Sequence, residues 1–166
     1  KCSKINRSIK GNYQAGSGLN SSKNGNYQAG SGLNSSKNGL NLITYPSKRH
    51  TPLASHKSLN YLYYHLASVY AIDHNGDEAL ILNPDGSVSE TSTCAIIGVK
   101  DTTIYIPQSD FVLPSVTLTA ATELFFKSGY DRVTSKIWYD DLFNMDCILI
   151  MNALMGAVKV LSIDGR

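Results

Sequence analysis

From residue 40 onward, apolar and polar positions alternate in short runs, whereas the stretch before it carries almost no apolar pattern. "LNLITY" (40–45) reads as a short strand, closed by Pro46 and a basic turn at 47–50. After Pro52, residues Leu59, Leu62, Tyr63, Leu66, Val69, Tyr70 and Ile72 recur at helical spacing as far as the turn "HNGD". Ser58 is placed to cap that helix. "EALILN" then reads as a strand, "PDG" as a tight turn and "SVSETSTCAIIGVK" as a second strand region, together a hairpin. "TTIYIP" adds another strand. "SVTLTAATELFFKSG" predicts a helix carrying Val116, Leu118, Ala121, Leu124 and Phe125, stopped by Gly129. "YDDLFNMD" fits a short helix or turn, and "CILIMN" and "AVKVLSI" fit buried strands. Locally paired strands with helices between them predict an α+β domain rather than a doubly wound one.

Residues 1–39 are rich in Gly, Asn, Ser and Lys, and "GNYQAGSGLNSSKN" occurs there twice without a change, at 11–24 and 25–38. Each copy offers one tyrosine and one leucine, too little apolar surface to offset the entropy of ordering it. The glycines and lysine satisfy neither G-x-G-x-x-G nor the G-K-[ST] end of a P-loop, so a linker is expected over a phosphate loop. The organisation read from these patterns is a low-complexity segment at 1–39, expected to be disordered, and a folded domain at 40–166.

Composition narrows the class. The chain has 166 residues, 42% hydrophobic and 17% charged, with a net charge of +2. Those values suit one globular domain with a sizeable core. The densest basic cluster, Lys48-Arg49-His50, is far short of a nucleic-acid footprint, so no nucleic-acid partner is expected. Cys2, Cys94 and Cys147 are widely spaced and unaccompanied by histidines at zinc spacing, so no metal site is expected. With no leader pattern and no apolar run of spanning length, the expectation is a cytoplasmic protein without membrane contact.

The candidate chemistry starts at Lys57. A lone lysine at a helix start is ordinarily a solvated side chain, and a glutamate in a strand ordinarily sits on the wet face. Here a lysine (Lys57), a strand glutamate (Glu90) and amides at two helix or turn starts occur in one domain. Such a set could hold a phosphorylated aldehyde cofactor: the amine bonds the aldehyde, the carboxylate holds a ring nitrogen protonated, and the amides take the phosphate.

"HKSLNYL", "DEALILNPDGSVSET", "VLPSVT" and "MNALMGAVKVLSIDG", in that order, resemble the large C-terminal domain of the class IV aminotransferases, the fold-type IV pyridoxal-phosphate enzymes. That family includes branched-chain and D-amino-acid aminotransferases and 4-amino-4-deoxychorismate lyase. "KSLNYL" and "NALMG" look closest to the lyase branch. The resemblance implies pyridoxal 5'-phosphate as cofactor, with Lys57 as the Schiff-base and proton-transfer lysine and Glu90 as the partner of the pyridine nitrogen. It places Tyr61 near the ring hydroxyl, with packing on a tyrosine-rich helix as the other reading. Val116 and Thr117 would bind phosphate at one turn, and Asn152 and Ala153 at a second. Thr117 could instead only cap its helix, and Asn152 could be only a turn residue.

Ala95, Ser115 and Lys159 stand where the family usually has asparagine, glycine and proline. The small N-terminal domain of the family is not recognisable before Lys57, so the chain reads as a fragment truncated at both ends. The implied activity is elimination of pyruvate to give 4-aminobenzoate, or transamination of a branched-chain or D-amino acid, with an inactive remnant as the third reading. The implied partners are a small amino substrate and, in the intact enzyme, a second copy forming a homodimer.

Overall fold

A computed structural model of the chain describes residues 39–166, and the repeat at 11–38 lies outside the described residues. The elements in chain order are β1 (Leu40–Thr44), α1 (Leu62–Asp73), β2 (Glu78–Leu82), β3 (Val88–Thr91), β4 (Ala95–Lys100), β5 (Thr103–Pro107), α2 (Val116–Lys127), β6 (Asp131–Ser135), a 3-10 helix (Tyr139–Asn144), β7 (Cys147–Asn152) and β8 (Gly156–Ile163). The α+β class therefore holds. The strands form one mixed sheet in the order β3-β2-β1-β8-β7-β4-β5-β6. β1 runs parallel to both β2 and β8, β5 runs parallel to β6, and the other neighbours are antiparallel.

Side-chain alternation splits the core between the two sheet faces. Leu80, Ile96, Ile150 and Val160 point to one face, where Leu142 of the 3-10 helix covers them. Their neighbours point the other way. Ile97, Val99, Leu149 and Met151 meet Ala121 and Phe125 of α2, and Ala79 and Ile81 meet Ala67 and Ala71 of α1. Complete burial of a side chain the size of Leu149 or Phe125 stabilises by about 1.5–3 kcal/mol.

The link from β3 to β4 shapes the molecule. Only residues 92–94 join them, and so short a segment spans at most about 14 Å. In a flat sheet five strand spacings would put them about 24 Å apart. The sheet must curl, and the chain forks where β3 and β4 part. The predicted single strand region at 87–100 is thus two strands in different halves of the sheet.

Further details depart from the sequence reading. The first helix begins at Leu62, not near Ser58; its N-cap is Tyr61, without a side-chain bond, while the Ser58 hydroxyl accepts only from the Asn60 amide at 3.3 Å. Leu59 lies before the helix and is fully exposed. On α1 the buried residues are Ala67 and Ala71, while Leu62, Leu66, Val69 and Ile72 face outward. Both faces of this helix are apolar, so spacing alone could not choose between them, and the small alanines allow the closer approach to β2. Finally, β6 ("DRVTS") carries no apolar signal because it is a mostly exposed, polar edge strand. Gly39, grouped with the low-complexity segment by composition, is buried against β8.

Candidate active site

A cavity of about 870 Å³ opens beside the fork between β3 and β4. Lys57, Tyr61, Glu90, Val116, Thr117, Asn152 and Ala153, the seven residues singled out by sequence, all line it. They come from four separate segments, and the curl of the sheet is what gathers them.

Lys57 sits in the exposed loop between β1 and α1. Its charge acts on Glu90, helping to hold that carboxyl ionised. Glu90, on β3, is 5% exposed and engaged at both oxygens. Oε1 accepts from Arg49 Nη1 at 2.5 Å and from the Tyr64 hydroxyl. Oε2 accepts from the Leu113 amide at 3.2 Å. Burial pushes the carboxyl up to about 7, against the opposing pull of the Leu113 amide, Arg49 and Lys57. Tyr61 lies at the rim with its ring tilted against Tyr64 at 5.7 Å. Partial burial and the nearby Glu78 and Cys94 raise its hydroxyl pKa.

The phosphate candidates lie elsewhere on the wall. Ser115, in extended backbone at φ −103°, caps α2 by accepting from the Leu118 amide at 3.2 Å. Thr117 is therefore not the cap. The first amides of a helix have no partner within it, and those of Val116 and Thr117 donate to no other described group. Serine in place of the family glycine is unstrained here and adds a cap. At the second turn, Asn152 Oδ1 accepts from the Leu154 and Met155 amides, both at 2.9 Å. Its Nδ2 donates to Cys94 Sγ at 3.3 Å. The side chain shapes the turn, which leaves the Ala153 amide as the donor with no described partner. Open amides at two turns suit a phosphate dianion, and the acidic wall at Glu90 suits a protonated ring nitrogen.

Sequence reasoning missed Arg49, Tyr64 and Glu78. Arg49 reads as part of a basic surface turn, yet it is 6% exposed, and three adjacent basic residues look alike until one is buried. Glu78, also buried, accepts from the Ser92 hydroxyl, the Thr93 amide and the Thr93 hydroxyl, so it pins the link between β3 and β4. Burial raises its pKa as well. Among the described residues no group of His, Cys, Asp and Glu side chains is arranged to hold a metal ion, and no helix is long and apolar enough to cross a membrane.

Comparison with known proteins gives this fold and cavity a family. The model of amino-transferase class IV matches residues 25–163, beginning in the second copy of the repeat. The chain belongs to that family, whose cofactor is pyridoxal phosphate. It is 28% identical over 128 residues to the branched-chain-amino-acid aminotransferase-like protein 2 of Arabidopsis thaliana, covering 75% of this chain and 23% of that protein. A Legionella pneumophila protein assigned provisionally as a 4-amino-4-deoxychorismate lyase superposes with a TM-score of 0.73 at 26% identity, over 77% of this chain and 49% of that one. A branched-chain aminotransferase from T.th., complexed with N-(5'-phosphopyridoxyl)-L-glutamate, gives 0.71 at 26% identity, over 78% and 45%. The chain thus spans half or less of the length of these relatives.

Proposed function

We propose that the cavity binds pyridoxal phosphate through Lys57 and that the chain is the cofactor-holding part of an enzyme acting on a small amino substrate. The carrying observation is the convergence of Lys57, Glu90 and the open amides of Val116, Thr117 and Ala153 on one cavity. In the bound state the cofactor's ring accepts the electron pair left when a proton is taken from the substrate carbon. Lys57 would hold the cofactor through its amine and, when freed by the substrate amine, would accept and return that proton. Glu90 would hold the pyridine nitrogen in its protonated form, Tyr61 would serve the ring hydroxyl, and the open amides of the two turns would take the phosphate.

Transamination of a branched-chain amino acid is the reaction best supported, because relatives across this region are named for it. Release of pyruvate from aminodeoxychorismate is the second reading, favoured by the Legionella structure and by "KSLNYL" and "NALMG". In either case the intact enzyme would be a homodimer. Two substrate assays separate the readings. Leucine with 2-oxoglutarate should yield glutamate under the first, whereas 4-aminobenzoate should appear from aminodeoxychorismate under the second. A chain that develops no visible absorbance band with pyridoxal phosphate would sink both.

A further inference from the structure

Glu90 is an unusual place to keep a charge. It is buried on β3, and water cannot solvate it, so its ionisation depends on what surrounds it. From the loop after β1 comes Arg49, bonded to Oε1 at 2.5 Å. From α1 comes Tyr64, which donates to the same oxygen and lies under the guanidinium, with Arg49 Cζ 4.3 Å from the ring centroid. Tyr63, also on α1, is close enough for Glu90 to act on its hydroxyl. The charge of Lys57, in the loop before α1, also acts on it. The segment before α2 contributes the Leu113 amide, and neighbouring β2 sets only Ile81 opposite.

Among these groups Arg49 is distinct. It is itself buried, its other nitrogen, Nη2, donates to the Ala54 carbonyl at 3.4 Å, and the Tyr64 ring covers its face. A guanidinium cannot shed its proton, so a buried one favours the ionised form of the carboxyl it is bonded to. Lys57, by contrast, is exposed, and bonding an aldehyde would take away its free ammonium group. Arg49 is then the cation that stays beside Glu90 when the lysine is engaged.

We propose that Arg49, stacked on Tyr64, is a positioning residue that favours the ionised form of Glu90 against its burial and fixes its aim toward the cavity. Arg49 also lines the cavity, but both of its bonded nitrogens are spent on protein groups, the Glu90 carboxylate and the Ala54 carbonyl, so its proposed action is through the carboxylate. The link to catalysis rests on the reading of Glu90 given under Proposed function, whereas the effect on Glu90 itself does not.

The test is a carbon-13 NMR titration of the glutamate side-chain carboxyls in the whole chain without cofactor, with Glu90→Gln assigning the Glu90 signal. The wild-type signal should titrate near 7. Arg49→Met should make Glu90 at least roughly tenfold weaker as an acid, and Arg49→Lys should restore most of the change. Tyr64→Phe, which removes one hydroxyl donor, should shift the signal the same way by less. It keeps the test decisive if Arg49→Met does not fold. A merely structural Arg49 would lower the melting temperature in these variants and leave the Glu90 titration where it was, which would overturn the proposal. Equal shifts in Arg49→Lys and Arg49→Met would overturn it too, because a retained cation should count. If the Arg49 variants move Glu90 as stated but added pyridoxal phosphate does not, Arg49 keeps its role and the cofactor reading of Glu90 fails.

Discussion

Glu90 shows what a single residue's environment does. Its carboxyl ionises near 7 in the folded chain and near 4.5 without the fold, and burial is the main cause. Between those pH values the native state holds a proton that the unfolded chain has released. Stability from this group is therefore complete below about pH 4.5 and is lost as pH rises through 7, on the order of 3 kcal/mol in all. Glu78 is raised for the same reason and adds a slope of the same sign. Urea unfolding at a series of pH values should therefore show stability falling from pH 4.5 to 7, with a smaller fall in Glu90→Gln. Equal slopes in the two proteins would contradict the assignment. At this scale the sequence disclosed identities and little else. Lys57 and Glu90 stand out only through the family-like wording around them, and nothing in "SKRH" marks Arg49 as the buried member.

At the scale of elements, local rules place the parts and close contacts adjust them. The Ser115 cap is one such part. Ser115→Ala should cost about 1 kcal/mol and lower the melting temperature, since the Leu118 amide loses its acceptor. Gly39 is a close contact: a Cβ there would lie 2.5 Å from the Lys159 carbonyl oxygen, which is backbone and cannot swing away. Gly39→Ala should destabilise by about 1–3 kcal/mol in a denaturant melt, and an unchanged midpoint would mean that β8 yields easily. Strands with continuous apolar runs, such as β2 and β7, are legible in sequence because burial on both faces imposes that pattern. The edge strand β6 is not, because half its surface meets solvent. The outward face of α1 misleads for the opposite reason, an excess of apolar residues on both sides.

At the scale of the whole molecule, the decisive feature is the curl that brings β3 beside β4. It places residues from 57 to 153 around one cavity although most of them are far apart in the chain. No periodicity along the sequence encodes such convergence. It is legible only because four separated motifs stand in the order of a known family, and the family match from 25 to 163 agrees with that reading. The Ser47–His50 loop, by contrast, contributes Arg49 through tertiary packing that no local motif announces.

The central claim is that Lys57 bonds pyridoxal phosphate in this cavity. Borohydride reduction of the chain mixed with the cofactor, followed by peptide mapping, addresses it directly. The account predicts one dominant pyridoxyl label, on Lys57, and its loss in Lys57→Ala with the fold retained by circular dichroism. A dominant label on another lysine, such as Lys48 or Lys136, or a label undiminished in Lys57→Ala, would contradict it.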